Sequence, residues 1–411
     1  MKDADIVKLI PNGFLGNYMK LTENTESPAR FHFLVGLTIL GTAMGRAVYM
    51  NMGMFEIYPN IYSLIVAPTG KCRKSTAIQI GMKILRQAEL ENIKTIGPQI
   101  TPEALIKVAK RERPTYDAAQ GKVVPVHPDS VNLIYVPELA VFLDKRDYNA
   151  GMVPLLTDLF DCPDEWSSTT IGRGEQRLRN VFVSTLFAST QSWLRNLLPK
   201  SAFAGGFMGR LFISVADNTE RCFPTPLPIN QGLLAECIMG LQKINQLKGE
   251  YIWTNKTQTW FSAWYMTNKK RLDDSTDERE CAYLERKQVQ LIKVAMILAA
   301  NDGRVDLKQE DFERALAIID MYEHEAFLFF MRLSNSDSPD QEIFDSLLEF
   351  MGTKKNIATH REIMSFMAQR GVIKSKAADI LSILIDGNLF QGRTHGTRKI
   401  YRYVPRGGEE K

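Results

Sequence analysis

Four short, largely apolar runs alternate along the chain with longer segments whose apolar residues recur at helical spacing. The runs are residues 61–67, 131–136, 181–190 and 209–216. A short apolar run rich in β-branched residues suits a strand covered on both faces. Strands that alternate with helices predict a mostly parallel sheet. The pattern therefore predicts an α/β core over residues 59–228, closed by a proline-rich stretch.

The segments on either side of this core are predicted to be mainly helical. Residues 1–58 contain an apolar helix at 30–46, whose small residues predict close packing, followed by a strand or hairpin. Residues 229–333 carry helical patterns and little strand signal. A separate domain is predicted at 341–405, where three helical patterns precede an alternating segment that turns at His395. Three helices and a hairpin are the elements of a winged helix.

Composition limits the kinds of partner. The 411 residues exceed what one core usually organises, so two or three domains are expected. Lys and Arg number 51 against 47 Asp and Glu, a net charge of +4, so a nucleic-acid surface would be a local patch. Residues 341–411 hold 12 basic and 8 acidic side chains, a surplus of four that equals the net charge of the whole chain.

A cytoplasmic location is expected. None of the five cysteines lies within four residues of another, which excludes a zinc-type pair, and an odd number argues against a disulfide framework. The N-terminus lacks the apolar core of a signal peptide, and the most apolar run, residues 33–45, is too short to span a bilayer. We therefore expect no membrane partner.

One stretch, IYSLIVAPTGKCRKSTAIQIGMKIL at residues 61–85, carries a chemical signal. A strand, a loop and a helix with Lys-Ser-Thr at the turn are the layout of a phosphate-binding loop. Lys74 stands where a lysine reaches the β- and γ-phosphates, Ser75 where a hydroxyl holds magnesium, and Thr76 near the α-phosphate. The alternative is a helix capped by a basic turn. The candidate nucleotide-binding residues of this stretch are Thr69, Gly70, Lys71, Cys72, Arg73, Lys74, Ser75 and Thr76.

Two positions depart from the usual loop. Pro68 and Arg73 stand where glycines are expected. Glycine normally precedes the lysine because the backbone there is tightly curved and approaches the phosphates closely. The side chain of Arg73 must therefore point away from a nucleotide, while Gly70 still supplies one permissive position.

Polar residues follow the next two predicted strands. Glu138 lies two residues past its strand, where a carboxylate polarises the attacking water, but Pro137 replaces the acid that usually supports magnesium. The alternative for Glu138 is a glutamate stabilised by a helix dipole. Ser189, Thr190 and Gln191 stand where a sensor contacts the γ-phosphate or water, and the alternative is a polar strand end.

Arg210 follows a glycine-rich turn and precedes the last predicted strand. An arginine at this place can reach the site of an adjacent subunit and stabilise charge on a transferring phosphoryl group. Alternatively, Arg210 pairs with a surface carboxylate.

The order of these pieces resembles the P-loop ATPase domain of phage and plasmid primase–helicases, a RecA/AAA+-like fold. The resemblance rests on APTGKCRKST, YVPELAVFL, TTIGRGEQRLRNVFVSTLFASTQSWL, GGFMGRLF and ERKQVQLIKVAMILAA, and it covers about residues 30–330. In that family an arginine before the lysine is familiar. No primase motif is found in the chain, so polymerising activity is not implied.

The resemblance implies a role for each motif residue. Lys74 and Ser75 would bind phosphate and magnesium, and Glu138 would be the catalytic acid at the metal. Gln191 would be a sensor, and Arg210 a finger acting in trans. The ligands implied are ATP and Mg2+, and the assembly implied is a homo-oligomer, a hexameric ring on DNA, with a primase in trans left open.

Other basic residues are candidates for contact with phosphates. Arg286, in the helical region, is a candidate phosphate contact by the same resemblance. A basic hairpin and the predicted winged helix are candidates for DNA contact, the alternatives being a solvated hairpin and a protein-contact module. An aromatic cluster at 260–270 is more often helix core than a stacking platform. The candidate DNA-binding residues are Arg173, Arg177, Arg179, Lys374, Lys376, Arg393, Arg398 and Lys399.

Together these features predict an ATP-driven motor on nucleic acid, a ring-forming replicative DNA helicase or translocase of a mobile element. The alternative is an ATP-switched DNA-binding adaptor, such as a helicase loader or a regulator of transposition. The slow hydrolysis that Pro137 suggests would suit such an adaptor. A small-molecule kinase is weaker, because it leaves the winged helix unexplained.

Overall fold

The chain forms two compact units, residues 1–326 and 327–411. The computed structural model describes residues 6, 9–10, 12–110, 113–117, 122–126, 130–143, 151–170, 174–197, 206–225, 228–334, 340–354, 356–386, 390–395 and 398–403. The first unit contains the predicted α/β core, residues 1–58 and all but the last seven residues of the predicted helical segment 229–333.

The first unit alternates strands and helices through its centre and ends in long helices. Its strands are β1 (Val48–Asn51), β2 (Glu56–Ile57), β3 (Tyr62–Val66), β4 (Ile93–Ile96), β5 (Arg113–Asp117), β6 (Lys122–Val126), β7 (Ser130–Val136), β8 (Glu165–Thr170), β9 (Gly174–Arg179), β10 (Val181–Ser189), β11 (Leu211–Val215), β12 (Gly249–Glu250), β13 (Ile252–Trp253) and β14 (Asp306–Leu307). Its helices are α1 (Gly13–Leu21), α2 (Ala29–Met44), α3 (Lys74–Gln87), α4 (Pro102–Ala109), α5 (Leu139–Phe142), α6 (Met152–Leu159), α7 (Gln191–Leu197), α8 (Gln231–Asn245), α9 (Asn255–Asp274), α10 (Glu278–Asn301) and α11 (Gln309–Ser334), which continues into the second unit.

A five-stranded, all-parallel sheet forms the centre of this unit, in the order β11-β3-β10-β7-β4. This confirms the predicted α/β class with a parallel sheet, and it is compatible with a Rossmann-like or P-loop-like core. Every residue of β3 and β10 is buried, as uninterrupted apolar strands require. Val66 lies level with Ser189 and with Val215, so these strands end at one edge of the sheet.

The strand order creates a switch point between β3 and β10. From β3 the chain passes through α3 to β4 at one side of the sheet, and from β10 it passes through α7 to β11 at the other side. Connections that leave adjacent parallel strands in opposite directions open a crevice at the carboxyl ends of the strands, and ligands of α/β proteins bind there.

Helix α2 is buried along almost its whole length, as its apolar sequence predicts. Its glycines permit very close packing. A Cβ atom on Gly41 would lie 2.4 Å from the carbonyl oxygen of Pro59, and one on Gly81 of α3 would lie 2.3 Å from Cγ1 of Val35. The small residues therefore let α2 approach α3 and the entry to β3.

The long helices share one hydrophobic core with the sheet and with α1 and α2. The aromatic cluster of α9 belongs to this core: the Phe261 ring lies 5.6 Å from Phe312 and 5.7 Å from Trp264, between ring centroids. The interpretation of this cluster as helix core is thereby confirmed.

Beyond the end of α11, the described residues of the second unit form three helices and a three-stranded antiparallel sheet. The helices are α12 (Asp340–Thr353), α13 (His360–Gln369) and α14 (Lys374–Asp386), and the sheet has the order β15 (Ile357–Thr359), β17 (Arg398–Tyr403), β16 (Phe390–His395). Thr359 and Glu362 form the predicted capping box, and Gly371, at φ +78°, follows the end of α13. The hairpin pairs His395 with Arg398.

Candidate nucleotide site

The loop from Ala67 to Arg73, here the 67–73 loop, leads from the carboxyl end of β3 into α3. Gly70, Cys72 and Arg73 all have left-handed backbone, with φ of +75°, +58° and +45°. Such reversals of backbone hand turn successive N–H groups towards a common centre and make a concavity that suits an anion. The predicted strand–loop–helix is therefore present at the switch point.

Arg73 has left-handed backbone, at φ +45°, a conformation that favours glycine. Its side chain is largely exposed, and its Nε donates a hydrogen bond to Glu26 Oε2 at 2.7 Å. The guanidinium group is thus engaged outside the loop, as the sequence requires if a nucleotide is to enter.

Lys74, the first residue of α3, is 8% exposed. Its Nζ donates to the carbonyl oxygen of Ala67 at 2.6 Å and lies 3.5 Å from that of Pro68. Burial lowers the pKa of Lys74, and the charge of Glu138 opposes that shift. The ammonium group is thus folded back over the loop, and it interacts electrostatically with Glu138, which follows β7.

The remaining candidates line the same loop and the first turn of α3. Thr69, Gly70, Lys71, Ser75 and Thr76 are exposed, whereas Cys72 is buried. Cys72 Sγ lies 3.6 Å from the carbonyl oxygen of Ala216, which follows β11. The structure therefore brings all eight candidates of this stretch together.

Glu138 enters the crevice from β7, two residues beyond the end of that strand. Its Oε1 is buried and has no hydrogen-bond partner among the described residues. Burial raises the pKa of Glu138, and the charge of Lys74 opposes that shift. Glu138 precedes a helix of only four residues and makes no side-chain cap bond to it, so the helix-dipole interpretation has little support.

Ser189 and Gln191 lie between these two groups in the order of the sheet, at the end of β10. Ser189 Oγ and Gln191 Nε2 are buried and, within the described ranges, have no hydrogen-bond partner. Thr190 acts differently, because its Oγ1 accepts a hydrogen bond from Trp193 N at 3.3 Å in the first turn of α7. Among the described residues, the carboxyl edge of the sheet therefore holds a buried cation, a half-buried acid with one buried unpaired oxygen, and two further side chains that each have a buried unpaired atom.

Arg210 and Arg286 lie elsewhere, at the amino ends of the strands. Arg210 ends the short turn before β11 and is 6% exposed. Both arginines face Asp161, at 3.8 Å from Arg210 Nη2 and 3.7 Å from Arg286 Nη1. The arrangement agrees with the pairing of Arg210 to a surface carboxylate, and neither arginine reaches the 67–73 loop of its own chain. The action of Arg210 in trans and the phosphate contact of Arg286 stay predictions.

In the hairpin of β8 and β9, acidic side chains pair with one of the arginines that the sequence predicts to contact DNA. Arg177 pairs with Glu165 at 3.0 Å and with Glu175 at 2.8 Å, whereas Arg179 is exposed. Arg173 lies outside the described residues. Arg177 is thus partly neutralised within its own hairpin.

The basic candidates of the second unit lie on α14 and on the hairpin. Lys374 begins α14 and is exposed, and Arg393 and Lys399 are exposed on β16 and β17. Lys376 and Arg398 lie in the same elements, but their side chains are outside the described part of the structure.

Sequence reasoning missed Glu26 and Ser27, which contact Arg73 from the turn between α1 and α2. They precede Arg73 by 47 and 46 residues, so no local pattern could link them to the loop.

Comparison with known proteins adds no assignment. No model of a known protein family matches the chain, and no curated protein matches its sequence at a significant level.

Among the described helices, none is long and apolar enough to cross a membrane. In the same part of the chain, no group of three or more His, Cys, Asp or Glu side chains is arranged to hold a metal ion.

Proposed function

We propose that this protein binds and hydrolyses ATP at the carboxyl edge of its parallel sheet and uses the reaction to act on nucleic acid. One observation carries the proposal: Lys74, which follows the left-handed loop at the start of α3, and Glu138, which follows β7, interact electrostatically at the carboxyl edge of the sheet, at the switch point. A cation, an anion-binding concavity and an unpaired acid are the groups that phosphoryl transfer to water requires.

The loop supplies the phosphate contacts in this proposal. Backbone N–H groups of the 67–73 loop and the N-terminus of α3 attract the phosphates. Lys74 exchanges its bond to the Ala67 carbonyl for phosphate oxygens, and Ser75 and Thr76 present hydroxyls from the first helical turn. Arg73 stays turned towards Glu26.

Magnesium fits this site as an ion that arrives with the nucleotide. Ser75 offers one hydroxyl and Glu138 one unpartnered oxygen, while Pro137 offers no carboxylate. Mg2+ bound through phosphates usually keeps several waters and takes only one or two protein ligands. When bound, it neutralises phosphate charge.

The acid side of the crevice positions the attacking water. Burial raises the pKa of Glu138, which makes the carboxylate a better proton acceptor. Gln191 and Ser189 supply the unpaired amide and hydroxyl that orient water and γ-phosphate.

Arg210 and Arg286 are proposed to act on a neighbouring copy. They lie at the edge of the sheet opposite the loop, so they serve a nucleotide only if a second subunit presents its site to them. This favours a ring or filament of identical subunits, and a ring-forming DNA helicase or translocase of a mobile element is the specific form proposed.

The second candidate is an ATP-switched DNA-binding adaptor. Pro137 favours it, because the chain has no acid at this position to support magnesium. Such a protein would bind ATP through Lys74 and turn it over slowly, with or without DNA.

The test is ATP hydrolysis by the full chain, with and without single-stranded DNA. Wild type is compared with Lys74→Ala and Glu138→Gln, and Glu250→Gln serves as the control because Glu250 is exposed on β12, outside the crevice. The motor proposal predicts DNA-stimulated turnover that falls by at least about 100-fold in Lys74→Ala and Glu138→Gln. Binding of ATP without turnover favours the adaptor, and no binding refutes both.

A further inference from the structure

The conformation of Arg73 requires support from outside its loop. Its backbone is left-handed, at φ +45° and ψ +43°, and Cys72 before it is left-handed as well. A non-glycine residue in this region costs about 1–2 kcal/mol and persists where surrounding contacts hold it. Two such residues in succession therefore need an external anchor.

The anchor is the segment 25–27, between α1 and α2. Ser27 Oγ donates a hydrogen bond to the carbonyl oxygen of Arg73 at 2.9 Å. Glu26 Oε2 accepts from Arg73 Nε at 2.7 Å. The segment thus holds both the backbone and the side chain of the residue that immediately precedes Lys74.

The same segment is held on its other side by the chain after β11. Thr219 Oγ1 donates to the carbonyl oxygen of Glu26 at 2.8 Å, and Phe223 N donates to Glu26 Oε1 at 3.3 Å. The Arg221 guanidinium donates to the carbonyl oxygen of Ser27 at 3.1 Å. Ser27 is fully buried. Segment 25–27 therefore lies between the 67–73 loop and residues 219–223 and is hydrogen-bonded to both.

A carboxylate beside an anion site is unfavourable unless it has a positional role. Glu26 lies next to the loop at which phosphates are proposed to bind, and its charge by itself repels them. Its contacts explain its presence, because it draws the Arg73 side chain away from the concavity and fixes the left-handed turn.

We propose that Glu26 and Ser27 are positioning residues of the nucleotide site, which shape the 67–73 loop through Arg73. This inference rests on the proposed function of that loop. It predicts that removal of Glu26 weakens ATP binding although a negative charge is lost, whereas electrostatics alone predicts tighter binding. The two explanations therefore differ in sign.

The experiment measures the dissociation constant of magnesium–ATP for the full chain by titration calorimetry. Its variants are Glu26→Ala, Arg73→Gly and the double variant, with Glu23→Ala as the matched control. Glu23 is an exposed glutamate whose one described side-chain hydrogen bond is accepted from Asn24 at 3.5 Å. Thermal unfolding of each variant establishes that it is folded.

The expected result is an increase of about tenfold in the dissociation constant for Glu26→Ala. The double variant should bind magnesium–ATP with a dissociation constant within about twofold of that of the single variant Arg73→Gly. The reason is that glycine adopts the left-handed turn without an anchor. Glu23→Ala binds as tightly as wild type or more tightly.

Two results would overturn the inference while ATP binding itself persists. One is a Glu26→Ala protein that binds ATP as tightly as the Glu23→Ala control. The other is an equal loss of affinity from Glu26→Ala in the presence and absence of Arg73, since the effect would then not pass through that residue. A wild-type chain that binds no ATP would instead refute the proposed function and the role of Glu26 with it.

Discussion

At the scale of single residues, three buried polar atoms without partners in the described part of the chain lie at the carboxyl ends of β7 and β10. Glu138 Oε1, Gln191 Nε2 and Ser189 Oγ have no hydrogen-bond partner among the described residues. A buried polar atom without a partner costs about 1–3 kcal/mol. Three such atoms at the ends of adjacent strands therefore point to a ligand or water that pairs with them, which supports the proposed hydrolysis site.

His32 is a buried polar residue with a structural rather than a catalytic role. It is fully buried in α2, and its Nε2 lies 2.6 Å from Thr25 Oγ1. Burial, assisted by the charge of Arg221, lowers the pKa of His32 from 6.5 to about 3. The imidazole is therefore neutral in the folded protein at all but very acidic pH.

This shift predicts a dependence of stability on pH. Below pH 6.5 the unfolded chain binds a proton at His32 that the folded chain does not bind, so stability falls as the pH falls towards 3. From about pH 7 to pH 5 this one group removes about 2 kcal/mol from the free energy of unfolding.

The measurement is urea unfolding of wild type and His32→Gln at both pH values. Between pH 7 and pH 5, the free energy of unfolding of His32→Gln should fall by about 2 kcal/mol less than that of wild type. This difference does not depend on the stability of the variant at pH 7. Equal losses in both proteins would show that His32 titrates normally.

The sequence pattern predicts site residues that follow the ends of strands. It does not predict residues that contact them from distant positions along the chain. Lys74, Ser75 and Glu138 were identified because each follows a recognisable apolar strand. Glu26 was not, because its link to Arg73 exists only after α1 and α2 have packed on the sheet.

At the scale of elements, the length and burial of a strand determine whether the sequence pattern predicts it. The four buried strands of the central sheet were predicted, but β4 was missed because it has four residues and only Ile96 is buried. The order of the strands requires contacts between distant segments, and no pattern along the chain encodes it.

The close packing of α2 gives a prediction at this scale. A Cβ atom at Gly41 would meet the Pro59 carbonyl oxygen at 2.4 Å and Ile297 Cδ1 at 2.9 Å, so Gly41→Ala forces α2 away from the entry to β3. The expected loss is about 1–3 kcal/mol in the free energy of unfolding, measured with urea.

Gly240→Ala is the control for that substitution. Gly240 lies in the middle of helix α8, and a Cβ there would rest 3.5 Å from Phe14 Cβ, an ordinary contact. Its replacement should be neutral or stabilise by up to about 1 kcal/mol, because alanine favours the helix. Similar losses for both glycines would contradict the packing argument.

At the scale of the whole molecule, net charge is concentrated in the C-terminal residues. Residues 341–411 carry a surplus of four basic side chains, and Lys374, Arg393 and Lys399 expose theirs on a helix start and a hairpin. This distribution is consistent with the prediction from the sequence that these residues contact DNA, which stays a prediction.

The prediction concerns the salt dependence of DNA binding. The triple variant Lys374→Ala/Arg393→Ala/Lys399→Ala should weaken binding to duplex DNA and reduce the slope of log K against log salt by about 1–3. Fluorescence anisotropy over a series of salt concentrations measures both quantities.

A matched variant removes the same charge from the first unit. Lys83, Lys248 and Lys256 are exposed there, and Lys83→Ala/Lys248→Ala/Lys256→Ala should leave the slope unchanged. Equal effects from the two triple variants would mean that net charge alone, rather than the second unit, determines binding.

The central claim is that the 67–73 loop binds a nucleotide through Lys74, and calorimetric titration of the purified full chain with magnesium–ATP tests it most directly. Lys83→Ala is the control, because Lys83 is exposed on the same helix. The account predicts one saturable site per chain, weakened at least about tenfold by Lys74→Ala and unchanged by Lys83→Ala. Absence of saturable binding in the wild type, or equal affinity in Lys74→Ala, would contradict it.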